Sequence, residues 1–408
     1  MRPIIKYFIL CSVLIISSCE KEVKINPSQA NAFIKFFGGF QIDEGIDVKQ
    51  TSDGGYIVLG TLTTLENGTD IFLIKTDKYG NKEWPAGCTF GGEYDDTGAA
   101  LQLLSDGSYI VVGTYTSNLT STNQTDIILI KVSASGNEDW SKLIGGYGDQ
   151  CGNYVQITSD NGFIITGSTN ASKTDQGDFY LNPGGETDVF LLKTNISGDS
   201  LWSKIIGFEG DDLGTCVQED FDDGYIIAGT TSKSKAGQSN TNILIFQTNK
   251  TGIVRAAETF GTPGFDEGRK IQVLSDGYVF TGTVIQNSKK NIYLVRLTRD
   301  IFAQPVIQVT FGGSNHSEGN AVLTTNDGGF ALVGSQEFSA SIDIYFVKTD
   351  ASGNEELSAR FGGSGDETGM AVEQTSDGGY IIVGSNELEG NSMITLVKIT
   401  AQGSLEVD

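Results

Sequence analysis

Residues 90–140 read FGGEYDDTGAALQLLSDGSYIVVGTYTSNLTSTNQTDIILIKVSASGNEDW. Gly and Asp punctuate the stretch into runs too short for helices and rich in β-branched and aromatic residues. One run starts at Gly98 and one at Tyr109, after the turn Ser105-Asp106-Gly107; a third covers Asp126 to Val132, and a fourth follows Ser135-Gly136-Asn137, like Lys82 to Phe90 in the copy before. The stretch predicts four strands joined by tight turns.

The same pattern recurs along the chain. A Phe/Ile-Gly pair stands at Phe37, Phe90, Ile144, Ile206, Phe260, Phe311 and Phe361, at steps of 53, 54, 62, 54, 51 and 50 residues. Eight residues after each stands a glycine: Gly45, Gly98, Gly152, Gly214, Gly268, Gly319 and Gly369. Each copy also has an aromatic four residues before a second glycine, as in Tyr56–Gly60 and Tyr380–Gly384. Seven matches of seven exclude coincidence.

Four strands per copy make a propeller blade, and the chain ends favour a closed ring over a stacked solenoid. The seventh copy stops at Asp408, where its fourth strand is due, while Asn31 to Phe37 has the position of a fourth strand with no copy before it. The expected fold is all-β: a seven-bladed β-propeller of four-stranded blades over 31–408, closed by strand 31–37, with no sheet edge left unpaired at the closure.

Composition bounds the chemistry. The 27 Lys+Arg against 51 Asp+Glu leave a net charge of −24, which excludes nucleic acid as a default partner. With His316 the single histidine, a triad would have to run through it and a multi-histidine metal site is excluded; it reads as a solvated loop residue. Cys88, Cys151 and Cys216 read as small apolar side chains of the core, with no cationic pattern beside them to activate a thiol.

Residues 1–18 read as an export signal: Arg2 and Lys6, the apolar run Tyr7 to Ile16, then Ser17-Ser18 before Cys19. Ten residues rise about 15 Å, half of a bilayer core of about 30 Å, so the run is too short to span. Ile16-Ser17-Ser18-Cys19 resembles the bacterial lipobox, which implies lipidation of Cys19. Residues 19–30 then form a tether, and Glu20 and Glu22 around Lys21 resemble surface-export signals of some Gram-negative lipoproteins. The expected address is the outer membrane or cell surface, with the lipid as the only membrane attachment and the protein a monomer.

The repeat resembles the uncharacterised bacterial propeller repeats of the delta-60 type. Its Asp77-x-x-Gly80 turn followed by Trp84, with Trp140 and Trp202 likewise four residues after Gly136 and Gly198, resembles the tryptophan-docking repeats of quinoprotein-like propellers. Ala256 and Leu357 replace the tryptophan in other blades, so the slot is read as outer-strand packing and no quinone is expected. The turn is also similar to the Asp-box of sialidases, with gaps one residue longer, and is read as structural.

Strands alternate in direction, so fourth-to-first and second-to-third loops share one face. Length variation is expected on that face alone: the residues between the second-strand glycine and the third strand number 9, 12, 20, 12, 8, 8 and 8. The long loop Ser168 to Thr187 offers Phe179 and Tyr180 for stacking and Asp175, Asp178 and Glu186 as acceptors, which makes it the candidate ligand-binding loop.

Twelve carboxylates crowd the fourth-to-first loops, among them Asp95, Asp96, Asp211, Asp212, Asp366 and Glu367. Oxygen ligands on loops suit Ca²⁺, yet an acid recurring in every blade also suits a turn that caps backbone N–H groups. Repulsion does not decide, since carboxylates about 10 Å apart in water cost roughly 0.4 kcal/mol. The Asp or Asn opening the third strand, as at Asp70 and Asp343, reads as structural.

No catalytic residue is identified and no cofactor is required. The expected function is a non-catalytic binding scaffold for a protein or glycan. The alternatives are an accessory lipoprotein of envelope assembly, because the propeller lipoprotein of the barrel-assembly machinery resembles this chain in architecture, and a carboxylate-dependent glycan-active enzyme.

Overall fold

A computed structural model describes residues 32–38, 41–64, 68–117, 124–171, 179–180, 186–208, 210–232 and 240–405. Cys19, Asp175 and Asp178 lie outside them. Among the described residues the strands form seven sheets: five take four strands in chain order, that of blade three takes a fifth strand besides, and the last takes its fourth strand from Phe33–Phe37. Blade two, for example, consists of Thr97–Leu103, Tyr109–Ser117, Gln124–Val132 and Glu138–Ile144, all antiparallel. The first strands of neighbouring blades touch one another around the axis. The fold is the expected seven-bladed β-propeller.

Closure follows the expectation too. Phe33–Phe37 pairs antiparallel with Asn391–Ile399, with Phe33 opposite Lys398 and Phe37 opposite Ile394. Its side chains act as those of a fourth strand. The Phe33 ring lies 6.2 Å from that of Tyr56 in blade one, just as Trp84 lies 6.1 Å from Tyr109 and Trp202 lies 5.9 Å from Tyr225. The tryptophan slot is therefore packing between blades. The core lies between sheets: Ile71 and Leu73 of blade one meet Tyr109 and Val111 of blade two, all fully or almost fully buried. Each such aliphatic side chain contributes about 1.5–3 kcal/mol through the water it sheds.

In each of the seven first strands the pairing slips after the glycine, as between Gly98 and Ala100 in blade two, so the next residue bulges toward the axis. The bulge explains the second glycine. A Cβ at Gly113 would lie 2.1 Å from the Thr97 carbonyl oxygen, so no larger residue fits.

Four expectations need correction. The second strand does not end at its glycine: in blade five it runs Gly277–Gln286, and Asn287 and Ser288, at φ of 53° and 60°, turn it directly into Lys289–Thr298. Residues 283–290 are thus hairpin, not loop, because a left-handed two-residue turn matches the strand twist. In blade one the fourth strand expected from Lys82 shrinks to Cys88–Phe90, since Pro85 lacks an N–H and Gly87 turns the chain at φ 71°. Length variation is not confined to one face either, for the third-to-fourth connection of blade five covers 299–306 against 133–137 in blade two. Finally, Phe179–Tyr180 of the long loop adds a fifth strand to blade three, parallel to Ile205–Ile206.

Candidate functional site

The junction loops between blades hold their acids in a fixed pattern. The residue two before each first-strand glycine is Asp43, Asp96, Gln150, Asp212, Asp266, Ser317 or Glu367, and all seven are buried. Asp96 shows why: its Oδ2 accepts from Gly92 N at 2.6 Å and its Oδ1 from Thr116 N at 2.7 Å, tying the loop to the end of the second strand. Asp266 does the same with Ile285 N at 3.0 Å and with Thr262 N. Asp212 accepts from Phe208 N, Glu367 from Gly363 N, and in blade three the Gln150 amide oxygen serves Gly146 N.

The preceding acids reach the neighbouring hairpin. Asp95 accepts from Thr69 N, Asp366 from Ile342 N, and Asp211 from Glu186 N and Thr187 N. Of the sequence-selected loop residues, Glu186 thus meets Asp211 through its backbone while its side chain is exposed. Burial raises the pKa of Asp96, Asp266 and Glu367 against the pull of these N–H donors. Asp70, at the start of a third strand, is raised by burial and by Asp96 beside it. Among the described residues no three Asp, Glu, His or Cys side chains converge as metal ligands. The geometry of these acids is that of backbone clamps.

The opposite face uses its acids differently. In the Ser-Asp-Gly-Gly turn, Asp53 meets Lys75 at 2.8 Å, and Lys75 also meets Glu83 at 2.8 Å. Lys193–Asp160, Lys348–Asp327 and Lys398–Asp377 repeat the pair, Arg296–Asp276 and Gln247–Asp220 vary it. Although burial opposes it, hydrogen bonds from Lys75, Thr51 and Gly55 bring the Asp53 pKa down to about 2. Sequence reasoning missed this ring, whose signal is a Lys, Arg or Gln one or two residues before the end of each third strand.

The axis holds a cavity of about 780 Å³ that opens among the first strands. The bulged residues face it: Ile46, Ala99 and Met370 on one side, Asn153, Thr215, Arg269 and Asn320 on the other. Asn153 Nδ2 donates to Gly214 O, Thr215 Oγ1 to Gly268 O and Asn320 Nδ2 to Gly369 O, so each staples the next blade. Below them, Lys49 Nζ lies 3.2 Å from Asp47 Oδ1 and 3.8 Å from Glu373 Oε2, bridging the closure between blades one and seven. Asp47 Oδ2 in turn accepts from Leu101 N of blade two.

Lys270 crosses from blade five to blade three and sits 3.7 Å from the centroid of the Tyr154 ring. Burial alone would lower its pKa, but Tyr154, the Cys216 thiol and Asp47 outweigh that and hold it above its ordinary value. Cys216 is buried and its pKa is raised chiefly by that burial; Cys88 and Cys151 are free and partly buried. These axial residues escaped sequence reasoning. Aligning the copies at the first, second and fourth positions after the glycine would have shown Arg269 and Lys270 as departures from the repeat.

Fold and axial cavity together define a seven-bladed propeller closed by its own N-terminal strand. No family model and no curated protein matches the chain. Among solved structures, one of an unknown-function protein from Dyadobacter fermentans DSM 18053 is similar at 10% identity and TM-score 0.51, over 90% of this chain and 97% of that one. The β-propeller domain of the Trilobed protease from Pyrococcus furiosus matches at 9% identity and TM-score 0.50, over 91% and 97%; that domain has an open velcro topology. A mutant puromycin hydrolase complexed with PGG matches at 9% identity and TM-score 0.52, over 89% of this chain and 52% of that one. The chain thus spans about half of the hydrolase, and at these identities the likeness is one of fold.

Proposed function

We propose that the chain is an exported lipoprotein, anchored through Cys19, that holds a protein or a glycan on its junction-loop face without catalysing a reaction. The observation that carries this reading is where the repeat is broken most: the 20-residue insertion at 168–187 springs from that face. Junction loops of the same face expose Ile42 at 57%, Tyr147 at 71% and Phe265 at 60%, and exposed aromatic side chains offer flat area at low entropic cost. The junction acids are engaged by backbone N–H groups, which favours a holding surface over an acid/base pair.

The test replaces 168–187 by the eight-residue hairpin segment 283–290 of blade five. The fold should survive, because each blade packs mainly on its neighbours. Pull-down of envelope proteins and glycan-array binding should both fall; unchanged binding in both sinks the reading. Cys19→Ala should move the protein from the membrane to the soluble fraction.

A further inference from the structure

We propose that the axial cavity receives a small molecule bearing a single carboxylate, held by Arg269 and Lys270 of blade five. This rests on the reading of the chain as a binding protein and adds a second site to it. The argument starts from the repeat. Where blades three, four and six place Asn153, Thr215 and Asn320 to staple the next blade, blade five places an arginine. Arg269 Nη2 pairs with Glu267 at 2.5 Å, while its Nε is buried with no hydrogen-bond partner among the described residues. The next residue, Lys270, stands where blades six and seven have Ala321 and Ala371, and it makes no ion pair among the described residues.

Two adjacent cations therefore face one cavity in a chain of net charge −24, and the ring's architecture uses neither as the other blades use their residues there. The Tyr154 ring and the nearby Asp47 keep Lys270 charged inside the partly enclosed site, so it stands there as a cation with no ion pair among the described residues. An incoming anion can pair with that ammonium, and Arg269, whose Nε has no hydrogen-bond partner among the described residues, offers a second donor. Size and charge narrow the class. About 780 Å³ suits a ligand of mono- or disaccharide size. Glu44, Asp47 and Glu373 line the same cavity and repel a dianion, so a carboxylate fits better than a phosphate. The −24 field repels polyanions over a longer range.

Calorimetric titration with glucuronate, acetate and glucose tests this on the mature chain. Glucuronate should bind saturably at one site and glucose should not; binding by acetate as tight as by glucuronate would point to small organic acids rather than acidic sugars as the source. Lys270→Ala and Arg269→Asn import residues that other blades carry at those positions, so the fold should hold, and each should weaken binding at least tenfold. No saturable binding of either acid, equal binding of glucose, or unchanged affinity in both variants overturns the proposal. The loop replacement above reads the face separately, so failure here leaves that reading standing.

Discussion

The two faces of the ring use the same residue type in opposite ways. On the junction-loop face Asp96 is wholly buried and meets backbone N–H donors, so burial wins and its pKa rises above 3.8. On the short-turn face Asp53 is 55% exposed and meets an ammonium, so its pKa falls to about 2. The difference teaches that an acid repeated in every blade says only that a turn needs an acceptor. Whether that acceptor is charged at a given pH depends on burial and on the partner opposite, which come from other strands.

Substitution separates the faces most sharply. Asp96→Ala strands two N–H groups, Gly92 and Thr116, in a buried site and should lower the unfolding free energy by about 3 kcal/mol in chemical denaturation. Asp96→Asn should cost less, since Gln150 shows an amide filling that place in blade three. Asp53→Ala should cost about 1 kcal/mol, because the carboxylate itself is 55% exposed and Glu83 still pairs with the buried Lys75 ammonium. Equal losses for the two alanine variants would erase the contrast.

A pH series of the melting temperature reads the same contrast more finely. Asp53, Asp160 and Asp327 sit near 2 when folded against an ordinary 3.8; their stabilisation is complete above 3.8 and is lost as the pH falls toward 2. Asp96, Asp266 and Glu367 are raised, so the folded state binds their protons more tightly, and stability declines as the pH climbs from 3.8 or 4.5 through the raised values. Acidification from neutral should first raise the melting temperature and then lower it, with a maximum near pH 4. Asp96→Asn with Glu367→Gln should flatten the first limb only.

The blades were legible in the sequence because each must carry the same turn glycines and core aromatics, and closure was legible because a half-blade at each end has no other partner. The length of the second strand was not, since Gly60 and Gly113 look like stops. They are in fact strand residues facing the bulge of the first strand, a constraint set by the Glu44 and Thr97 carbonyls rather than by local propensity. The axial site was hidden for a different reason. Asp47, Tyr154, Lys270 and Glu373 come from four blades, and only the curvature of the ring brings them together.

The closing strand also sets which way the disc looks. Phe33 lies opposite Lys398, whose ammonium pairs with Asp377 in a short turn, and Phe37 lies at the far end opposite Ile394. The chain therefore enters the closing strand, at Ala32, on the short-turn face. Under the anchoring proposed above, the lysine-braced side would turn toward whatever holds the chain and the junction loops would point away from it.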